Sequence, residues 1–459
     1  MKELTITLSS EALLTGDCPE LFKAVAEALT FTNPQWLENR KMKRWQGKTR
    51  RTIRCYRNIR QNQGLSVPRG FMGQLIAMAR QAGVPYRIVD QRPSLPDVSY
   101  EFGGALKPFQ EKAVAVMLKK DFGILAAPTG SGKTVMALAM IAQRKQPALI
   151  IVHSKELLNQ WIDRIGSFLD MPEEDLGILG AGKKAVGNKI TVGIVNTIYQ
   201  IAHEMRDRIG FLVVDECHRT PARTFTEAVS AFDCKYMLGL SATPWRRDDL
   251  THLIYWYMGD LHHKIDPAGL MESGDILEAE VVTRETAFIP LSDPVAEYSS
   301  MLSELTENAA RNALIAGDVV EEAKNADGVC LLLSDRKEHC RTLAELIAAQ
   351  GVEAAILTGD LADGERQTIV EQLNSGGIRV LIATGQLIGE GFDSGALSTL
   401  FLTTPVKFDG RLLQYLGRIL RPGPGRGKAR VYDYVDVNVG PLKAAARSRS
   451  QVYRQMQKG

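Results

Sequence analysis

The sequence predicts an α/β protein with two parallel-sheet layers in tandem, preceded by a small basic N-terminal α+β domain. Three observations carry this. From about Tyr100 onward, short β-branched apolar runs alternate with longer helical patterns, as in parallel strands covered on both faces. The alternation then occurs a second time, after a break near residues 266–290. Finally, residues 1–100 hold 16 Lys or Arg against 8 Asp or Glu, whereas the remainder holds 40 against 45. The formal net charge of +3 therefore hides a basic head on a mildly acidic body, and a basic head is suited to an anionic partner. The expected boundaries are 1–100 for the basic domain, 101–265 for the first layer, 266–290 for a linker, and 291–459 for the second layer with a basic C-terminal tail.

In the head, "RKMKRWQGKTRRTIRCYRNIR" (Arg40–Arg60) places ten Lys or Arg in 21 residues with no acid, and Trp45 and Tyr56 interleave with the charges. Thr52–Ile59 predicts a strand, Gln61–Gly64 a turn, and Leu65–Phe71 the return of a hairpin. In the first layer the apolar runs predict strands at Gly123–Ala126, Leu149–Val152, Thr191–Val195, Phe211–Val214 and Met237–Leu240, with helices such as Lys133–Gln143 and Lys155–Phe168 between them. Tyr298–Asn325 predicts one or two helices. The second layer then has strands at Val329–Leu333, Ala354–Leu357, Val380–Ala383, Leu397–Leu402 and Ala429–Val435, and helices at Arg336–Ala349, Gly364–Asn374 and Arg411–Leu420.

With 45% apolar and 24% charged residues, the composition is that of a soluble globular protein. None of the six cysteines is spaced from another as zinc or iron–sulfur ligands are, and scattered thiols fit a reducing cytoplasm. The opening "MKELTITLSS" has no apolar core of a signal peptide, and no apolar run approaches the roughly 20 residues a membrane helix needs. The expectation is a cytoplasmic protein with no membrane partner.

The chemistry begins at "APTGSGKT" (Ala127–Thr134), between a predicted strand and a predicted helix. It fits G-x-x-x-x-G-K-[ST] with Ala127 in the first glycine position. Pro128, Thr129, Gly130, Ser131 and Gly132 form the loop, and the two glycines let successive N–H groups curl toward phosphates. The helix opening at Lys133 adds its N-terminal dipole. Lys133 is expected to reach the β- and γ-phosphates, and Thr134 to offer its hydroxyl to Mg²⁺. "VVDECH" (Val213–His218) ends an apolar strand on two carboxylates: Asp215 suits the metal ion, and Glu216 suits polarising an attacking water. "GLSATPWRRD" places Ser241 and Thr243 before Pro244, a pattern that alone reads as a plain loop. "QYLGRILR" spaces Gln414, Arg418 and Arg421 by four and three residues, along one helix face. A solvated basic face fits that spacing. So does a set of planar cations for the charge of a transferring phosphoryl group. Lysine and carboxylates in one layer, with arginines in the other, suggest ATP clamped in a cleft between them.

These motifs, in this order, resemble the paired RecA-like motor of superfamily 2 helicases over residues 106–436. "LKPFQ" (Leu106–Gln110) resembles the adenine-reading Gln element, "APTGSGKT" motif I, "VHSKELLNQW" (Val152–Trp161) motif Ia, "VDECH" a DEAH-type motif II, "SATP" motif III, "ATGQLIGEGFD" (Ala383–Asp393) motif V and "QYLGRILR" motif VI. "GLSATPWRRD" and "EGFD" are most similar to the XPB/UvsW-like branch, which includes phage branch-migration helicases. Motif Ia has His153-Ser154 where Pro-Thr is common, and motif II has Cys217 where Ala is common. The resemblance implies ATP and Mg²⁺ as cofactors, with Gln110 reading adenine and Asp393 touching ribose or coupling the two layers. It places Arg418 and Arg421 at the γ-phosphate and Gln414 beside the water. His218, Ser241, Thr243 and Gly391 would couple hydrolysis to a nucleic-acid groove, touched by Ser154 and Lys155 on the first layer and by Thr358, Gly359 and Thr384 on the second. Attached to such a motor, Arg40, Lys43, Arg44, Lys48, Arg50, Arg51 and Arg54 become candidate phosphate contacts. Around "NPQW" (Asn33–Trp36) and "VPRGF" (Val67–Phe71) the head is similar to phage-like members of the same branch. The implied activity is ATP-dependent movement on DNA, whether single-stranded, forked or branched duplex. An RNA helicase, a duplex translocase without strand separation and a non-motor switch protein are the other readings. No nuclease constellation is visible, so any cutting would need a protein partner.

Overall fold

The structure, a computed structural model, describes residues 3–59, 64–218, 222–242, 250–326, 328–389, 394–406, 409–422 and 428–458. The chain divides into two compact units, residues 1–127 with 132–265, and residues 128–131 with 266–459. Among the described residues it forms sheets of five, two, eight and six strands.

The head begins with β1 (Leu4–Leu8) and β2 (Glu11–Thr15). Alternate residues of both are buried, the period of a half-covered sheet. There follow α1 (Pro19–Ala28), β3 (Thr30–Thr32), α2 (Pro34–Lys41), β4 (Thr52–Arg54), β5 (Arg57–Ile59), β6 (Gly64–Pro68), α3 (Met72–Gln81) and β7 (Tyr86–Asp90). The five-stranded sheet runs β5-β6-β2-β1-β7, with only β1 and β7 parallel. The strand expected over 52–59 is two strands. β4 pairs with β3, β5 pairs with β6, and the buried Cys55 lies at the corner between them. The antiparallel β5–β6 pair is the expected hairpin, whose turn lies outside the described residues.

The first layer comprises α4 (Pro108–Leu118), β8 (Phe122–Ala126), α5 (Lys133–Arg144), β9 (Ala148–Val152), α6 (Lys155–Leu169), β10 (Gly177–Gly180), β11 (Lys183–Ala185), β12 (Ile190–Ile194), α7 (Val195–Met205), β13 (Phe211–Val214), α8 (Ala222–Ser230), β14 (Tyr236–Ser241), α9 (Thr251–Met258) and β15 (Leu261–Lys264). The sheet order is β11-β10-β12-β9-β13-β14-β8-β15, parallel except for β10–β11. β9 and β13 are buried at every residue, which explains their unbroken apolar sequence.

The head is built into this layer. Leu253 and Trp256 of α9 share one hydrophobic core with Leu4, Ile6, Leu14, Val25, Val67 and Leu75. Gly70 lies so close to α9 that a Cβ there would sit 2.5 Å from Trp256 O and Gly259 N. Two arginines add polar ties. The buried Arg69 donates to Cys234 O at 2.8 Å. Arg92 donates to Lys235 O at 2.8 Å and pairs with Asp121 at 2.6 Å.

The second unit contains α10 (Pro267–Glu272), β16 (Ala279–Thr286), α11 (Tyr298–Glu307), α12 (Ala309–Asn325), β17 (Val329–Ser334), α13 (Lys337–Ala348), β18 (Ala354–Leu357), α14 (Asp363–Asn374), β19 (Val380–Thr384), α15 (Gly385–Gly389), β20 (Leu397–Leu402), α16 (Asp409–Ile419), β21 (Ala429–Asp436) and α17 (Gly440–Lys458). Its sheet is parallel throughout, in the order β16-β21-β20-β17-β19-β18. β16 lies within the stretch 266–290 and pairs with β21 along its whole length. Tyr298–Asn325 is two helices, broken at Asn308, whose side chain caps the second by accepting from Arg311 N at 2.9 Å. The basic tail is a packed helix. Arg449 is buried and pairs with Asp433 at 2.6 Å, and Tyr453 donates to the same carboxylate at 3.0 Å. No described helix is long and apolar enough to cross a membrane.

Candidate nucleotide site and basic surface

Sheet register assembles the site. β14 lies between β13 and β8, with Gly239 opposite Val214 and Ser241 opposite Ala126. The segments that follow these strands therefore leave one carboxyl edge together, where open α/β sheets bind ligands. Ala127 N donates to Ser241 O at 2.9 Å, and Cys217 N to Leu240 O at 3.1 Å.

The loop after β8 is shaped by Gly130 and Gly132, with φ of +89° and +82°, in the left-handed region that favours glycine. Ser131 Oγ donates to Pro128 O at 2.7 Å, tightening the turn. α5 starts at the next residue after Gly132, so Lys133 and Thr134 occupy its first turn. The Lys133 ammonium folds back over the loop: Nζ donates to Ala127 O at 3.1 Å and lies 3.8 Å from Glu216 Oε1. Gln110 is buried beside the loop. Its Oε1 accepts from Lys107 N at 2.9 Å, and its Nε2 occupies the space a Cβ on Gly132 would need.

Asp215 is 6% exposed. Its Oδ2 accepts from Trp161 Nε1 at 2.8 Å and its Oδ1 from Glu216 N at 2.9 Å. Burial, and then the charge of Glu216, push its carboxyl up to about 6, against the pull of the Trp161 N–H and of Lys133. Glu216 has φ of +44°, a strained position for a residue with a side chain. Its Oε2 lies 3.3 Å from His218 Nδ1, which is also 2.9 Å from Ser241 Oγ. Glu216, His218 and Ser241 thus form a polar chain between two adjacent strand ends.

This donor set fits Mg²⁺ and a triphosphate. A carboxyl whose titration is raised by burial, and then by its acidic neighbour, is one whose charged form a divalent cation favours. Hard oxygens from one or two carboxylates and a hydroxyl suit Mg²⁺, which takes its remaining ligands from phosphates and water. Asp215 and the Thr134 hydroxyl would hold the ion, and the loop with Lys133 would hold the phosphates.

Two family models match in chain order: the type III restriction enzyme, res subunit, over residues 104–246, and the helicase conserved C-terminal domain over residues 311–423. The DNA 3'-5' translocase XPB2 of Sulfurisphaera tokodaii is 37% identical over 150 residues, 33% of this chain and 33% of its own length. The chain belongs to the superfamily 2 helicases and is similar to their XPB-like members. The putative ATP-dependent RNA helicase L396 of Acanthamoeba polyphaga mimivirus is 27% identical to this helicase-family chain over 370 residues, 78% of this chain and 69% of its own length. Among solved structures, a fragment of a putative HsdR subunit of a type I restriction enzyme from Vibrio vulnificus matches with a TM-score of 0.57 at 17% identity, over 76% of this chain and 66% of its own. The two parallel sheets are the RecA-like layers of the family.

The remaining helicase motifs are placed as follows. In motif Ia, Ser154 caps α6, its hydroxyl accepting from Leu157 N at 3.3 Å, and Lys155 is exposed beside it. Thr243 of motif III and Gly391 and Asp393 of motif V lie outside the described residues. In the second unit, Thr384 ends β19, while Thr358 and Gly359 follow the adjacent β18. These three therefore share one sheet edge. Gln414 and Arg418 lie on α16, and both are buried. The expectation that Arg421 continues their helix face is corrected. α16 ends at Ile419, because Pro422 disfavours helical backbone at the residue before it. In the head, Arg40, Lys43, Arg44, Lys48, Arg50, Arg51 and Arg54 are all exposed. The guanidinium groups of Arg40 and Arg51 lie 5.4 and 5.5 Å from the centre of the Trp36 ring.

Sequence reasoning misses Trp161. Its spacing with Leu157, Leu158, Ile165 and Leu169 marks it only as part of the buried face of α6. The one available signal is that a buried indole N–H needs an acceptor. That the acceptor is Asp215 depends on the sheet.

Proposed function

We propose that this protein is an ATP-dependent DNA helicase or translocase that remodels branched or forked DNA. The observation that carries the reading is the exposed, acid-free basic surface of residues 40–57, built into the same unit as Lys133, Asp215 and Glu216. A head that shares its core with the ATP-binding layer moves with that layer, so a grip on DNA becomes a mechanical connection. The relative named as a DNA translocase supports DNA as the track.

Bound Mg²⁺–ATP supplies the phosphoanhydride whose hydrolysis drives the cycle. Lys133 and the loop hold its phosphates, Thr134 and Asp215 hold the ion, and Gln110 reads the adenine. Glu216 accepts a proton from the attacking water on its carboxylate, and His218 passes the change at Glu216 to Ser241. In the same reading, Gln414, Arg418 and Arg421 serve that nucleotide from the second unit. Asp393 contacts its ribose, and Thr243 and Gly391 act with His218 and Ser241 in coupling. Ser154, Lys155, Thr358, Gly359 and Thr384 track the strand backbone, contacts that carry no sequence information. The mimivirus relative named as an RNA helicase favours RNA as a second reading.

Strand displacement from a four-way junction, a fork, a plain duplex and an RNA duplex of matched length tests this. ATP-dependent displacement from the fork and junction is expected, and none by Lys133→Ala. Displacement confined to the RNA duplex would overturn the reading. ATP turnover without displacement on any substrate would leave translocation and remove unwinding.

A further inference from the structure

We propose that Trp45 is a stacking platform for an unpaired nucleobase, placed inside the basic surface of the head. The inference rests on the reading of that head as a DNA-binding surface and adds what it recognises there. Trp45 is 89% exposed, an unfavourable position for so large an apolar ring unless something covers it. The segment that carries it is tied down on both sides. Lys43 N donates to Arg40 O at 3.2 Å and Arg44 N to Asn39 O at 2.8 Å; Thr49 N donates to Gln46 O at 2.9 Å. The Gln46 side chain reaches back to Trp36 O at 3.2 Å.

The ring itself is also supported. Gly47, at φ of +52°, lies close to it, and a Cβ there would come within 2.9 Å of the indole. The ring is approached by the chain at Gly47 and remains largely open to solvent. That geometry accepts a base face, and base–aromatic stacking is how sequence-tolerant proteins hold single strands. Trp36 shows the contrast: it is half-buried and attended by the Arg40 and Arg51 guanidiniums. Around Trp45 the exposed Lys43, Arg44 and Lys48 complement a phosphate backbone, with no acid between Arg40 and Arg57.

The chemistry gives structural selectivity. Bases within a continuous duplex have both faces covered by their neighbours. An unpaired base, or the last pair at an open end, offers a free face. The cations bind phosphates of any form of DNA, whereas Trp45 adds affinity only where pairing is interrupted, as at a fork or junction.

Equilibrium binding of the full chain to a single strand, a fork with unpaired arms, and a duplex closed at both ends by hairpin loops made of non-nucleotide linker tests this. Trp45→Ala is expected to weaken binding to the single strand and fork by about 5- to 150-fold, the range of one lost stacked base, and to leave the closed duplex unchanged. Trp45→Phe is expected to keep most of the affinity. Wild-type binding of all three DNAs by Trp45→Ala, or an equal loss on the closed duplex, would overturn the proposal. An Arg50→Ala, Arg51→Ala, Arg54→Ala triple variant separates the two readings. Loss on all three DNAs by the triple variant, with none by Trp45→Ala, retains the basic head and removes Trp45. Wild-type binding by the triple variant, with Trp45→Ala still selective, removes those arginines and retains Trp45.

Discussion

Replacing Trp161 with Phe isolates the contact between α6 and the DEAH carboxylate. Phe keeps most of the apolar ring that α6 buries, but removes the N–H that donates to Asp215 Oδ2 at 2.8 Å. A hydrogen bond to a charged acceptor contributes about 1.5–3 kcal/mol, and one pKa unit corresponds to about 1.4 kcal/mol. Losing the donor should therefore raise the Asp215 titration by about 1–2 units. It already lies at about 6 because of burial and Glu216, so in the variant it moves to between about 7 and 8. A metal ion must displace that proton. At about pH 7 the Mg²⁺ concentration for half-maximal turnover should rise by about 2- to 10-fold. At about pH 9 the two proteins should converge. The assay is a Mg²⁺ titration of DNA-stimulated ATPase at both pH values. An unchanged Mg²⁺ requirement at the lower pH, or the same loss at both, would refute the assignment of Trp161 to positioning and charging Asp215.

Three further outcomes are expected. If about six head cations meet phosphates, log affinity against log salt has a slope near −5, and the Arg50, Arg51, Arg54 triple alanine variant flattens it by about 3; a wild-type slope would remove those three arginines from the account. His339 is buried and accepts from Ser334 Oγ at 3.0 Å while Nε2 meets Asn312 Oδ1 at 2.9 Å, and burial with the nearby Arg311 charge lowers its pKa to about 3. Its folded pKa lies below the unfolded value of about 6.5, so stability is present above that pH and is lost as pH falls toward the folded value. From about pH 6.5 to about pH 5 the loss is about 1.5 kcal/mol. Denaturant midpoints of wild type should fall accordingly, and those of His339→Gln should lack this component. Arg449→Ala leaves Asp433 buried without its cation, which costs about 3–5 kcal/mol. Its melting temperature should fall by roughly 6–20 °C, while its salt slope for DNA stays that of wild type, because Arg449 faces the core rather than the solvent.

Strands were legible because burial on both faces writes an unbroken apolar run. Phe211–Val214, Ala354–Leu357 and Leu397–Leu402 coincide with β13, β18 and β20, and the other predicted strands of the two layers differ by a residue or two at their ends. The head was less legible. β1 and β2 alternate in burial over only five residues each, too short for periodicity to stand out. The division of 52–59 between two sheets is set by β4 pairing back with β3 while β5 pairs forward with β6, a choice that no local pattern records. Charge misleads in the opposite direction. Arg69, Arg311 and Arg449 resemble surface cations in sequence, yet each is buried on a specific oxygen, Cys234 O, Asp436 Oδ1 and the Asp433 carboxylate. Within the ATP site, the glycines, Lys133 and the acidic pair are legible because their chemistry is local. The Glu216–His218–Ser241 chain and the Trp161–Asp215 bond are not, because sheet order creates them.

Steady-state ATP turnover by the intact chain, with no nucleic acid, with forked DNA and with RNA of the same sequence, tests the central claim most directly: that hydrolysis at Lys133, Asp215 and Glu216 is governed by DNA. Low basal turnover raised strongly by the fork and little by RNA is the predicted result. Turnover indifferent to nucleic acid, or raised by RNA alone, would contradict it.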